Sequence, residues 1–319
     1  MTEDSVAGTP SRRLALYTAL GANVAVAIAK GVAAAITGSS AVLAESLHSV
    51  ADSVNEVLLL VGARRAVRPA DLRHPFGHAR YRYLYAFVVS LAVFWIGGVL
   101  SVLEGINHLV TREEIVDPRW ALGVLALAAL LDGWSLRTTK LAWRSAKGDL
   151  SWRRLISDTK APDLIVVFLE DVGALAGVAI AAVGVTLTTI TGDGVWDAVA
   201  SIAIGILLMA IGLVVNRETQ SLLVGESAAA DVVAAIREAI ATTDGIDGVR
   251  ELRTIHIGPD DLVVAAGVWV DATRSATAIS RSIEDAERRV RDITPFRTVV
   301  TVEPRVRDAA PSGGREMNG

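Results

Sequence analysis

The stretch AVLAESLHSVADSVNEVLLL is apolar in most of its length yet carries Glu45, His48, Asp52, Asn55 and Glu56. Offsets of three, four, three and one place most of them on one face of a helix. His48 and Asp52, four apart, can offer an imidazole nitrogen and a carboxylate oxygen to one cation. A second apolar stretch, DLIVVFLEDVGALAGV, sets Glu170 beside Asp171. Two acids and an imidazole suit a borderline or harder divalent ion such as Zn²⁺, Fe²⁺, Mn²⁺ or Co²⁺. A third constellation, Asp71, His74 and His78 in DLRHPFGHAR, has ligand types and spacing suited to a metal. Plainer readings exist. The first stretch would serve as a polar helix–helix seam, although seams more often use Ser, Thr or Asn than a His and several acids. In the third, Pro75 and Gly77 would simply shape a turn, and the surrounding arginines disfavour a cation.

The elements that hold these residues follow from hydropathy. The chain has 319 residues, 52% hydrophobic and 21% charged, with a mean hydropathy of +0.44. Such apolar content excludes general disorder and an ordinary soluble enzyme. There is no cysteine, hence no disulfide framework, thiol nucleophile or thiolate metal site. A net charge of −4 argues against a nucleic-acid partner. Six stretches, near 14–37, 40–63, 83–108, 118–136, 163–189 and 194–216, are long enough to cross a bilayer, which takes roughly 20 helical residues. Retained helices, not a cleaved signal, are expected from the long first core and the spans that follow it.

Orientation comes from the connections. Arg64–Arg82 and Arg137–Lys160 are rich in Arg and Lys, whereas Gly38–Ser40, Thr111–Pro118 and Thr191–Gly194 hold only Arg112 against several acids. Positive residues favour the cytoplasmic side, so an even helix count places both termini there. The second and fifth helices then run in opposite directions. Asp52 falls roughly 16 Å and Asp171 roughly 11–12 Å from the inner end at 1.5 Å per residue, so the two are expected to meet near mid-membrane.

Past the sixth span the pattern changes. Ala229–Thr242 and Ser275–Val290 read as amphipathic helices, and Val249–Ile257, Leu262–Val270 and Arg297–Val302 as strands. The order α-β-β-α-β suits a small α+β sandwich of the ferredoxin type. The organisation expected is a disordered 1–11, a six-helix membrane domain over 12–216, a cytosolic ferredoxin-like domain over 217–306 and a disordered tail over 307–319. The cytosolic domain contains one histidine, His256, read as structural, and is expected to support dimerisation. Lys30 in the first helix is expected to neutralise an acid such as Glu56, and Asp197 to favour the positive N-terminal end of the sixth.

Six spans in this topology, the second-helix string ESLHSVADSVNE, the loop HPFGHARYRY and the terminal α+β domain together resemble the cation diffusion facilitator family, over about residues 12–304. The resemblance implies a dimeric exporter of zinc and related divalent ions, usually exchanging them for protons, with no cofactor beyond the ion it moves. Its partners would be a second copy of itself, the metal ion, protons and the bilayer. In that family an acid or His and an Asp four apart on helix two face a His/Asp-x-x-x-Asp pair on helix five. The first pair maps to His48 and Asp52. Asp171 maps to the last position of the second pair, but the remaining position is Val167, which cannot bind metal. The branch containing the mitochondrial zinc transporter similarly carries adjacent acids there. Glu170, Glu45 or water would complete the shell, with Glu170 favoured because one residue turns it about 100° from Asp171. Some relatives also bind an ion at positions matching Asp71, His74 and His78.

Other functions lack their signatures. A metalloenzyme string such as HExxH and a nucleotide-binding GxxxxGK[ST] loop are both missing from the sequence, and no channel lining is readable. Alanine- and arginine-rich usage without a transit-peptide-like start points to a bacterial inner membrane.

Overall fold

The structure is a computed structural model describing residues 10–111, 115–147 and 162–306. It divides into two compact units that meet between Gln220 and Ser221, four residues beyond the expected boundary at Asn216. The first unit is helical: α1 (Pro10–Thr37), α2 (Ser40–Ala66), α3 (Tyr81–Ala92), a π-helical segment (Val93–Val99) continuing into α4 (Leu100–Thr111), α5 (Pro118–Lys147), α6 (Pro162–Thr191) and α7 (Val195–Val224). Residues 1–9 and 307–319, expected to be disordered, lie outside the described residues, whereas Pro10 already belongs to α1.

Four helices among the described residues are long and apolar enough to cross a membrane: Tyr81–Thr111, Pro118–Thr138, Ile165–Thr191 and Val195–Val224. The part of α1 searched among the described residues is the apolar run Asn23–Thr37. The 27 residues of α2 are interrupted by Glu45, Asp52 and Glu56. Prolines open α5 and α6, where the missing N–H costs nothing. One sequence expectation needs correction. α5 runs on to Lys147, so Arg137, Lys140, Arg144 and Lys147 extend the helix and do not form a loop. The amphipathic spacing continues past the apolar span, and helix length follows that spacing, not membrane thickness. Arg153, Arg154 and Lys160 lie outside the described residues.

α2 is the hub, packed against α1, α3, α4 and α6. The interfaces use small residues, among them Ala33, Ala41, Ala44, Ala128 and Ala181, which let backbones approach closely. Gly98, in the π-helical segment, shows the limit of this. A Cβ there would meet Met209 Cγ at 2.5 Å and Gly205 O at 3.1 Å, so this segment and α7 touch backbone to backbone.

The second unit contains α8 (Ala230–Ala241), β1 (Gly248–Gly258), β2 (Asp261–Val270), α9 (Ala276–Ile293) and β3 (Arg297–Val306). The sheet order is β1-β2-β3, with β1 antiparallel to β2 across a hairpin and β3 parallel to β2 after the α9 crossover. On β2, Leu262, Val264, Ala266, Val268 and Val270 are buried in alternation, as one sheet face requires. They form a core with Ile236 and Ile240 of α8 and Ala286 and Val290 of α9. Ser275 caps α9 by accepting from Ala278 N. The His256 ring packs edge-on against Phe296, with centroids 4.9 Å apart.

Candidate metal centre

The helical periodicity of α2 lines up Glu45, His48, Asp52 and Asn55 and turns them inward. Glu45, His48 and Asn55 are at most 1% exposed. His48 Nε2 lies 3.4 Å from Asp52 Oδ2, yet neither ring nitrogen has a hydrogen-bond partner, nor has Asp52 Oδ1. Asn55 Nδ2 donates to Glu170 Oε1 of α6 at 2.5 Å. Asp171, the next residue, accepts from Ser135 Oγ of α5 at 2.8 Å. The adjacent acids of α6 therefore serve different neighbours. Asp52 stands within electrostatic reach of Glu170, Lys30, Asp132 and Glu45.

The buried cation of this region is paired otherwise than its sequence position suggested. Lys30 Nζ donates to Glu45 Oε2 at 2.9 Å and to Ser49 Oγ at 3.0 Å. Glu56 instead accepts from Asn23 Nδ2 at 2.6 Å. The register of α1 on α2 decides this: Lys30 sits level with the N-terminal half of α2, at Glu45 and Ser49, beyond reach of a residue three turns further along. Glu45 Oε1 has no partner, and the bare backbone of Gly177 on α6 leaves the room it occupies, since a Cβ there would strike it. A divalent ion seeking Glu45 would have to compete with a resident ammonium.

Asp197 does more than begin α7. Fully buried, it accepts from Ser39 Oγ (2.6 Å), Ser40 N (2.5 Å), Ser40 Oγ (2.9 Å) and Ala41 N (3.2 Å), satisfying the open N–H groups at the start of α2. Buried His108 of α4 brings Nε2 to 3.8 Å from Asp197 Oδ2. Sequence reasoning passed over His108. Ser39, the N-cap of α2, donates Oγ to Asp197, 158 residues away in the chain.

Among the described residues, the loop after α2 is the one place where three His, Cys, Asp or Glu side chains bring ligand atoms within 4.8 Å of one another: Asp71, His74 and His78. Asp71 Oδ1 accepts from the backbone of Arg73 (2.8 Å) and His74 (2.7 Å) and lies 3.2 Å from His74 Nδ1. The His74 backbone N–H, first, and that of Arg73 hold this carboxyl below the usual carboxylate range. His78 Nδ1 is 3.1 Å from Pro69 O. A carbonyl only accepts, so Nδ1 carries the hydrogen, and in the neutral ring Nε2, 3.6 Å from Asp71 Oδ2, keeps its lone pair. The donor chemistry of this trio fits a divalent ion.

Long apolar helices enclosing acids, an imidazole and an ammonium define a multi-pass membrane protein with a polar interior. The chain matches the cation efflux transmembrane domain over residues 16–224, and it belongs to the cation efflux family. Its members are transporters, and the chain is not an enzyme. It is similar to the human protein named proton-coupled zinc antiporter SLC30A9, mitochondrial, at 28% identity over 271 residues, 84% of this chain and 47% of that one. Metal tolerance protein C4 of Arabidopsis thaliana is 26% identical over 225 residues, 70% of this chain and 49% of that one. Magnetosome protein MamB of Magnetospira sp. (strain QH-2) is 26% identical over 281 residues, 84% of this chain and 90% of that one. The chain thus spans about half the length of the first two.

Proposed function

We propose that this chain is a secondary transporter that exports divalent cations, Zn²⁺ foremost, in exchange for protons. The observation that supports it is the row of buried polar atoms on α2 without hydrogen-bond partners, at both nitrogens of His48 and at Asp52 Oδ1. Buried polar atoms left unsatisfied are costly unless something else binds them. His48 and Asp52 hold the ion from α2, and Glu170 or Asp171 supplies acid from α6. Six spans carry the site, with both termini on the cytoplasmic side of a bacterial inner membrane. The ferredoxin-like terminal domain pairs with its copy in a homodimer, using a sheet face on which Ala265, Val299 and Thr301 are exposed. Asp71, His74 and His78 form a weak collecting site at the inner mouth.

In the cycle, the ion loses its water to the donors of α2 and α6 while the site is open to the cytosol. Rocking of the helices then exposes it to the other side. There protons compete for the same lone pairs, because ligands must be deprotonated to hold metal. Proton return resets the site. The predominance of oxygen donors favours a second reading of the cargo, Fe²⁺, Mn²⁺ or Co²⁺, on the same fold.

The test is pH-gradient-driven uptake into proteoliposomes over a panel of Zn²⁺, Fe²⁺, Mn²⁺ and Co²⁺. The parent is expected to move zinc, and His48→Ala and Asp52→Ala to bring uptake to the protein-free background. Parent-like flux from both variants would refute the site.

A further inference from the structure

Asn55 follows His48 by seven residues and Asp52 by three, which continues their stripe along α2. Its side chain is 0% exposed. A carboxylate can only accept, so the amide presents nitrogen to Glu170 and its oxygen points elsewhere. That oxygen, Oδ1, is buried and meets no hydrogen-bond donor. Asp52 Oδ1 and both His48 nitrogens are in the same condition. Two acceptor oxygens and an imidazole lone pair on one stripe share a need for a positive partner. Lys30 does not meet it, being engaged with Glu45 and Ser49.

The same hydrogen bond sorts the two acids of α6. Glu170 is drawn toward α2 by Asn55, while Asp171 Oδ1 is taken by Ser135 of α5. Val167 stands where the family pattern wants a ligand, so with Glu170 as the one ligand from α6 the set of His48, Asp52 and Glu170 is one donor short of four. We propose that Asn55 supplies it: Oδ1 binds the divalent ion directly, and Nδ2 orients Glu170 as the ligand from α6. This rests on the reading that His48 and Asp52 hold the ion. The resulting set is one nitrogen and three oxygens, of which two are carboxylate and one is neutral. Two ionised carboxylates balance one divalent charge. A neutral fourth donor completes the shell without adding charge, so the ion is held without being trapped.

Cobalt(II) is the probe, because its visible d–d bands report donor type and coordination number. The full-length protein is titrated in nanodiscs with the loop set removed by His74→Ala and His78→Ala. Asn55→Ala is expected to weaken Co²⁺ binding by about tenfold or more and to shift the bands. Asn55→Asp, which returns an oxygen, is expected to restore binding with a steeper pH dependence, since the added acid must first lose its proton. Where Asn55→Ala fails to fold, Asn55→Ser, whose oxygen is too short to reach, takes its place. Unchanged bands and affinity in the truncated variant overturn the proposal. Equal loss in the truncated and Asp variants, with both as monodisperse as the parent, overturns it too, because the oxygen would then not matter. His48→Ala separates the two levels. If its cobalt bands persist, the underlying site is wrong. If they vanish while Asn55→Ala is unaffected, only the assignment of Asn55 fails.

Discussion

In the loop, ligand atoms of Asp71, His74 and His78 lie within 4.8 Å of one another, Asp71 and His74 are half in water while His78 is buried, and Asp71 Oδ1 already accepts two backbone N–H groups. Along α2 the donors are less tightly gathered, but His48, Asp52 and Asn55 keep buried atoms with no hydrogen-bond partner at all. Compactness and need are thus separated in this molecule. A short polar loop can bring ligand types together through its own turn hydrogen bonds, and exposed acids tolerate the result because water solvates what remains. A helix inside apolar surroundings has no such solvent, so an unsatisfied imidazole or carboxylate there marks a place built for a guest. The buried set on α2 is the stronger candidate even though its ligand atoms are further apart.

The sharpest way to break this contrast is to disturb charge in the helix set. Lys30 and Glu45 are 1% and 0% exposed and pair at 2.9 Å. Lys30→Met leaves Glu45 buried without its counter-charge, at an expected cost of about 3–5 kcal/mol, read as a large drop in Tm and in yield of monodisperse protein. Lys30→Met combined with Glu45→Gln should recover most of it. A single variant as stable as the parent would show that this interior is wetter than its burial suggests. The loop set should respond far less. His74→Ala with His78→Ala is expected to raise the KM for zinc flux by roughly two- to fivefold with kcat retained, the signature of lost uniform binding. Flux falling to background would move the essential site into the loop and reverse the comparison.

The smallest effect is a matter of pH. The folded-state value of Asp71 lies below its unfolded one, chiefly because the His74 N–H donates to it. Its contribution to the turn is therefore present above the unfolded carboxyl value, about 3.9, and is lost only as pH falls through the lower folded value. Amide protection at Arg73 and His74 should persist through about pH 4 and be lost only as pH falls further, through the lower folded value. Asp71→Asn should remove that dependence.

What could be read without coordinates was whatever lies within one element. His48 and Asp52 are four apart on one helix, and the Asp71-His74-His78 spacing closes on itself within eight residues. The helices and strands also fall close to where periodicity put them, except that α5 runs on to Lys147 and α7 to Val224, past the expected ends near 136 and 216. Contacts between elements were another matter. Lys30 was assigned to Glu56 and pairs with Glu45, because hydropathy says that α1 and α2 pack but not at what register. The bonds from Asn55 to Glu170 and from Ser39 to Asp197 span 115 and 158 residues. His108 looked like any apolar-helix histidine until the start of α7 was placed beside it.

Anomalous scattering at the zinc edge, from crystals of the zinc-loaded protein, addresses the central claim most directly. A peak about 2.0–2.2 Å from a His48 nitrogen and an Asp52 carboxylate oxygen is the predicted result. A peak at Asp71, His74 and His78 alone, with nothing beside α2, would contradict it.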